Sequence, residues 1–181
     1  MKTFIALFRG INVGGRNSLP MKELVAILEG LGSTDVRTYI QSGNAVFRTN
    51  EKNIARLSSQ IGASVKQRHG FEPHVLLLAL PDFERVMTGN PFREAETVPQ
   101  GLHVGFLAST PETPRLAALA TLKAGTERYH LGDRAFYLHA PDGIGRSKLA
   151  ANVERLLGVR MTDRNWRTVC TVREMAKALG D

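Results

Sequence analysis

The sequence has a single cysteine and no long hydrophobic run. Cys170 alone cannot form an internal disulfide or a multi-thiolate metal site, which fits a reducing compartment. The longest apolar run spans 75–80, far short of the roughly 20 residues that a membrane-spanning helix needs. The apolar run near the N-terminus is interrupted by Arg9, too early for a signal peptide. We therefore expect a cytoplasmic protein that does not associate with a membrane.

Acidic residues are also in the minority. The chain has 24 Lys and Arg against 17 Asp and Glu, which gives a formal net charge of +7. The excess is concentrated in residues 143–181, where eight basic residues face four acidic ones. Such a charge favours polyanions and phosphorylated small molecules as partners. The alternative is a solvated surface whose charge keeps the protein in solution.

The spacing of apolar residues predicts two successive βαββαβ series. In the first, we expect strands at 4–8, 36–41, 45–48 and 74–80, helices at 20–31 and 53–69, and a short helix to Met87 capped by Asp82. In the second, we expect strands at 103–107, 128–131, 135–139 and 159–162, and helices at 114–123, 148–157 and 171–179.

This order of elements predicts an α+β fold made by tandem duplication of two ferredoxin-like units, each followed by a short helix. The first unit would span 1–90 and the second 101–181, with a linker at 91–100 that contains proline and glycine. A shift of the chain by 90 residues supports a weak internal repeat, because it places Phe47 on Tyr137 and Ala45 on Ala135.

Two loops combine glycines with basic residues ahead of a predicted helix. The candidate ligand-binding residues are Arg9, Asn12, Gly14, Gly15 and Arg16 in the first loop, and Gly143, Gly145, Arg146, Ser147 and Lys148 in the second. Flexible backbone, fixed positive charge and a helix N-terminus together favour an anion. We predict that the two loops form one composite site. The alternative for each loop is a structural turn.

The first loop is not a nucleotide-hydrolysing phosphate loop. Gly10 and Gly15 have the spacing of the two glycines in such a loop. However, Arg16 and Asn17 stand where a lysine and a hydroxyl residue are required to reach the terminal phosphates and magnesium.

A third candidate segment holds the only tryptophan. Arg164, Asn165 and Trp166 lie at the start of this segment, which ends at Thr168. An exposed Trp166 could stack on a base or ring while Arg164 and Arg167 hold phosphate. The alternative is a Trp166 that anchors the last helix in the core. Asn44, in a predicted turn between two strands, is a further candidate.

The sequence identifies no catalytic residue, metal or cofactor. Strand alternation could place His103, His130 and His139 on the sheet face that carries Tyr137. We predict half-exposed strand histidines and no metal site, because ligation needs convergent geometry and usually a carboxylate or thiolate. No paired-carboxylate or Ser-His-Asp spacing is present.

Four segments resemble a family of uncharacterised bacterial proteins, domain-of-unknown-function family 1697. The resemblance covers nearly the whole chain. Its segments are 7–15 (LFRGINVGG), 38–44 (TYIQSGN), 142–148 (DGIGRSK) and 164–169, where Arg164-Asn165-Trp166 is followed by Thr168-Val169. The resemblance implies a tandem ferredoxin-like architecture, and it implies no activity, cofactor or catalytic residue.

Three functions remain open. The leading hypothesis is a non-catalytic protein that binds a phosphorylated or other anionic ligand, or nucleic acid, at the glycine and arginine loops. An alternative is an enzyme of unassigned reaction, with an active site between the two units in which Arg9, Arg146 and Lys148 orient an anionic substrate. A third is a scaffold whose sheet faces pair with each other or across a dimer. The oligomeric state does not follow from the sequence.

Overall fold

The computed structural model describes residues 1–180. These residues form two compact units. Unit 1 comprises Met1–Glu84 and the C-terminal segment from Thr171, and unit 2 comprises Arg85–Cys170. The division into 1–90 and 101–181 stays a prediction about independent folding units. Within the described residues, no helix has the length and apolarity needed to cross a membrane.

Unit 1 is built on a four-stranded antiparallel sheet. Its elements are β1 (Lys2–Arg9), α1 (Met21–Gly30), β2 (Thr34–Tyr39), β3 (Asn44–Thr49), α2 (Ile54–His69), β4 (His74–Ala79) and the start of α3 (Leu80–Thr88). The strand order is β2-β3-β1-β4. Alternate residues of β1 and β3, including Phe4 and Phe47, pack with Leu28 of α1 and Ile61 of α2.

Both faces of the first sheet are buried at its central strand. Phe4 and Phe8 of β1 face the helices, while Ile5 and Leu7 between them are also almost fully buried. A strand that is apolar on both faces loses the usual in-and-out alternation. The run 4–8 is therefore continuous, as the sequence predicted.

Unit 2 has the same order of helices and strands. Two short 3₁₀ helices, Arg93–Thr97 and Pro99–Gly101, precede β5 (Leu102–Leu107), α4 (Leu116–Leu122), β6 (Arg128–Leu131), β7 (Ala135–His139), α5 (Lys148–Leu157), β8 (Met161–Asn165) and the start of α6 (Trp166–Lys177). The strand order is β6-β7-β5-β8. Phe136 and Leu138 pack with Leu149 and Val153 of α5. A mixed fold with two four-stranded antiparallel sheets is thus confirmed.

The predicted repeat offset of 90 residues is wrong for these strands. Phe47 faces the helices of unit 1, whereas Tyr137 lies outside the helix-facing cluster of unit 2, to which Leu138 belongs. Phe47 pairs with Phe4 of β1, and Leu138 pairs with His103 of β5. The equivalent residue is therefore one position later, because a shift of one residue reverses the face of every side chain in a strand.

Two helix starts also differ from the predictions. α3 begins at Leu80, so Asp82 lies inside its first turn and not at its cap. α6 begins at Trp166 instead of Thr171. The reason is Asn165, whose side-chain oxygen accepts a hydrogen bond from the Arg167 N–H (3.0 Å) and caps the helix.

Candidate functional site

The first loop forms a small hairpin in unit 1. The Arg16 N–H donates to the Val13 carbonyl at 3.0 Å, and Gly14 and Gly15 make the two-residue tip between them. Both glycines have positive φ, 57° and 73°, which a tight turn of this kind requires. The tip is exposed.

Asn12 holds this hairpin in place. Its side-chain amide donates to the carbonyls of Leu19 (2.9 Å) and Gln41 (2.8 Å), and its oxygen accepts from the Leu19 N–H (2.8 Å). Asn17 donates to the Gly10 carbonyl at 2.8 Å. The Asn12 side chain thus hydrogen-bonds to the protein's own backbone. It does not present its amide to a ligand.

The charged side chains of this hairpin are exposed arginines. Arg9 ends β1 and Arg16 follows the glycine tip. Residues 1–22 contain no Asp or Glu, so the potential of this segment is positive.

Asn44 also serves the fold. It is fully buried, and its amide donates to the Tyr39 carbonyl (3.1 Å) and to Ser42 Oγ (3.1 Å). These bonds close the turn between β2 and β3. The structure therefore does not expose Asn44 to a ligand.

The second loop leads into the N-terminus of α5 in unit 2. Ser147 caps the helix, because its Oγ accepts from the Ala150 N–H at 2.9 Å. Gly143 has a positive φ of 85°, and its N–H donates to the Ala140 carbonyl at 2.9 Å. Gly145 is exposed. This loop is a capped turn, as the structural alternative stated, and it also borders a groove.

The groove has a volume of about 510 Å³. Its lining includes Thr126 and Glu127, and also Arg146, Ser147 and Lys148 from the second loop. This size lies within the range of about 300–1,000 Å³ that small-molecule sites occupy.

The charged side chains of this groove differ in their partners within the chain. The Asp142 carboxylate accepts from the Thr126 hydroxyl (2.7 Å), and the buried Glu127 carboxylate accepts from the Ala124 N–H (2.8 Å). Over residues 1–180, neither Arg146 nor Lys148 forms an ion pair. The two carboxylates keep their negative charge, and Arg146 and Lys148 are the groove's cations without an ion-pair partner among these residues.

The third segment supports the fold of unit 2. Trp166 is 4% exposed, so its ring is not open to a nucleic-acid base. The Asn165 amide donates to the Pro99 carbonyl at 2.8 Å. Burial lowers the pKa of Arg164 to about 10, although the nearby Asp163 carboxylate opposes this change. Arg164 still carries its charge at neutral pH.

The three strand histidines do not share a face, so that expectation was wrong. His103 pairs with Leu138 and faces the helices, where its Nδ1 lies 2.9 Å from the Asp163 carboxylate. His130 lies on the other face, where its ring stacks on Tyr137. In the part of the chain that the structure describes, no group of three or more His, Cys, Asp or Glu is placed to hold a metal ion.

Unit 2 also contains a polar cluster that the sequence did not predict. The Arg128 guanidinium bonds the Glu94 carboxylate, contacts His139 Nδ1 at 3.0 Å and lies 4.8 Å from the centre of the Phe92 ring. Burial and then the Arg128 charge lower the pKa of His139, so this imidazole is neutral at pH 7. The cluster ties the first 3₁₀ helix to the β6–β7 hairpin. No local motif predicts this cluster, since its members are distant in sequence.

Tyr137 should make the free energy of unfolding depend on pH in the alkaline range. Its hydroxyl donates to the Val86 carbonyl at 2.6 Å, and burial raises its pKa to about 12. The unfolded tyrosine ionises near pH 10, whereas the folded one keeps its proton. The free energy of unfolding should therefore fall between about pH 10 and about pH 12, by at most about 1.4 kcal/mol per pH unit.

Urea denaturation across pH 8–12 measures this effect. Tyr137→Phe should remove the part of the pH dependence that belongs to this group. The control variant Tyr39→Phe, at the half-buried end of β2, should retain it. Identical curves for wild type and Tyr137→Phe would contradict the prediction.

Comparisons with known proteins agree with this fold. A family described as protein of unknown function, DUF1697, matches residues 1–137. A solved structure of a conserved bacterial protein from Streptococcus pneumoniae is similar, with a TM-score of 0.70 and 24% sequence identity. The likeness covers 97% of this chain and 98% of that one, and it shows the fold alone. No curated protein matches the chain.

The family match covers more than half of the sequence and includes the hairpin of unit 1 and the β2–β3 turn. This chain therefore belongs to the family of proteins of unknown function DUF1697.

Proposed function

We propose that the protein is a non-catalytic binding protein for a small phosphorylated or otherwise anionic ligand, which binds in the groove of unit 2. The observation that carries the proposal is that Arg146 and Lys148 line a groove of about 510 Å³ and form no ion pair within residues 1–180. The carboxylates of the same groove already accept hydrogen bonds from the chain.

The helix terminus beside these cations favours a phosphate group. The first N–H groups of α5 have no partner within the helix, and Ser147 satisfies one of them at Ala150. The helix dipole adds a partial positive charge at this end. Arg146 can bind two phosphate oxygens together, while Lys148 supplies a point charge.

The hairpin of unit 1 is a separate part of the proposal. Arg9 and Arg16, with Gly14 and Gly15 between them, would contact an anion at an exposed surface. The two loops belong to different units, and the proposal is made for each loop by itself. The alternative ligand, a nucleic-acid polymer, is supported only by the protein's positive net charge.

Removal of either groove cation should weaken phosphate binding. We expect pyrophosphate or ribose 5-phosphate to bind wild type, and Arg146→Ala and Lys148→Ala each to lower affinity about tenfold, or about 1.4 kcal/mol. Isothermal titration calorimetry measures the constants. Arg155→Ala is the matched control, because Arg155 is an exposed arginine of α5 outside the groove.

Two results would contradict the proposal. One is binding of ribose as tight as that of ribose 5-phosphate. The other is equal loss in Arg155→Ala and Arg146→Ala. A labelled oligonucleotide tests the nucleic-acid alternative, and absence of binding at low salt would eliminate it.

We also propose that the two units are ferredoxin-like and arose by tandem duplication. Supporting this, both have the element order βαββαβ, and their strand orders correspond position by position. A cytoplasmic location stays a prediction from the sequence.

A further inference from the structure

A second cavity, of about 610 Å³, lies in unit 1. Its apolar lining includes Phe4, Ile54, Leu77 and Ala79. Phe4, Leu77 and Ala79 lie on the sheet face that packs against α1 and α2, and Ile54 is the first residue of α2. Ile54, Leu77 and Ala79 are only partly buried, so they retain apolar surface that a ligand could cover.

The mouth of this cavity carries charges of both signs. The Glu51 carboxylate accepts from the Asn53 N–H at 2.7 Å, and Asp82 has a partner within the chain. Among residues 1–180, neither Lys2 nor Lys52 forms an ion pair. The two carboxylates remain charged, and the two ammonium groups are the cations of this lining that have no ion-pair partner among these residues.

We propose that this cavity binds an amphipathic organic anion, namely a carboxylate with a hydrocarbon body. The body would cover Phe4, Leu77 and Ala79, and the carboxylate would lie between Lys2 and Lys52. Burial of apolar area supplies most of the affinity, at roughly 25 cal/mol per Å². The lysines select the charged head group, because they attract an anion and repel a cation.

Thr49 adds a polar contact at the same place. It lines the cavity, is almost fully buried, and its hydroxyl accepts from the Glu51 N–H at 3.0 Å. A hydroxyl that accepts one hydrogen bond can still donate one. That donor suits a carboxylate oxygen.

This site is independent of the phosphate groove. It lies in unit 1, whereas Arg146 and Lys148 lie in unit 2. Phosphate without a hydrocarbon body has nothing to cover the apolar lining. At constant ionic strength, excess inorganic phosphate should therefore leave carboxylate binding at this cavity almost unchanged, so each proposal can fail without the other.

Three probes of equal chain length test the proposal on the full-length protein. Octanoate should bind more tightly than octanol, and octylammonium should bind least. Binding is measured by calorimetry and by amide chemical shifts in NMR spectra. The affinity for octanoate should fall as salt rises, because ions screen the exposed lysines.

Variants locate the binding site. Lys52→Ala should weaken octanoate binding about tenfold and leave octanol binding unchanged. Lys22→Ala is the matched control, since Lys22 is an exposed lysine of unit 1 outside the cavity. Ala79→Leu should weaken both probes, because the larger side chain fills the cavity.

Three outcomes would overturn the proposal. Equal affinity for octanoate and octanol would show that the cavity has no preference for an anionic head group. If octylammonium bound most tightly, the cavity would prefer a cation over an anion. Failure of all three probes to bind wild type would remove the site itself. Lys52 is exposed, so its variant is expected to fold and to keep these comparisons interpretable.

Discussion

Gly43→Ala is expected to destabilise the protein by about 3–5 kcal/mol, which is the largest effect that we predict for one substitution. Gly43 has a φ of +83°, a conformation that L side chains rarely adopt. A Cβ atom at this position would lie 2.6 Å from Ile11 Cδ1 and 2.6 Å from Phe8 Cβ. The Gly43 carbonyl also accepts from the Phe8 N–H at 2.8 Å, so the backbone has little room to move away.

Gly15→Ala separates the two causes of this loss. Gly15 also has a positive φ, +73°, but no atom lies within 4 Å of the position that its Cβ would occupy. Its replacement should cost only the backbone strain, about 1–2 kcal/mol. Urea denaturation of both variants measures the difference. Equal losses would show that the contacts with Phe8 and Ile11 are not tight.

Asn165→Ala is expected to lower the free energy of unfolding by about 2–4 kcal/mol. The side-chain amide donates to the carbonyls of Pro99 (2.8 Å) and Gln100 (3.2 Å), and the oxygen caps α6 through the Arg167 N–H. The variant would lose the cap and leave partly buried carbonyl groups without this donor.

Two further variants divide the effect of Asn165. Asn165→Asp keeps the capping oxygen but loses the amide donor, so it should remain strongly destabilised. Asn53→Ala removes a simple cap, since Asn53 accepts from the Arg56 N–H at 3.0 Å, and it should cost about 1 kcal/mol. A loss in Asn165→Ala no larger than in Asn53→Ala would show that Asn165 acts only as a cap.

These two residues show how far the sequence predicts the structure. Local patterns predict β6, β7 and α5 with their observed bounds, because a turn separates the two strands and apolar residues recur at helical spacing in α5. Local alternation failed for α6. Its start depends on Asn165, which in sequence looked like a ligand-binding residue beside an arginine and a tryptophan. A signal was present, since Asn165 is a favourable cap and Trp166 and Val169 have helical spacing.

The candidate site divides in the same way. The sequence identified the second loop and its basic residues, because glycines and cations ahead of a helix are a local pattern. It also proposed Asn12, Asn44 and Trp166, whose side chains the fold uses internally. A polar or aromatic residue type does not reveal whether its hydrogen bonds or its surface are already taken. That distinction requires the positions of distant residues.

The sequence by itself determined the order of helices and strands, the positive charge and the location of the two glycine loops. Each of these properties depends on neighbouring residues or on composition. Only the tertiary structure decided the register of β5 with β7, which places His103 and His139 on opposite faces. It also decided which charged groups have partners: Glu127 and Asp142 accept hydrogen bonds from the chain, while Arg146 and Lys148 form no ion pair in the described part of the chain. Pairing and burial join residues far apart in sequence, and no local pattern encodes them.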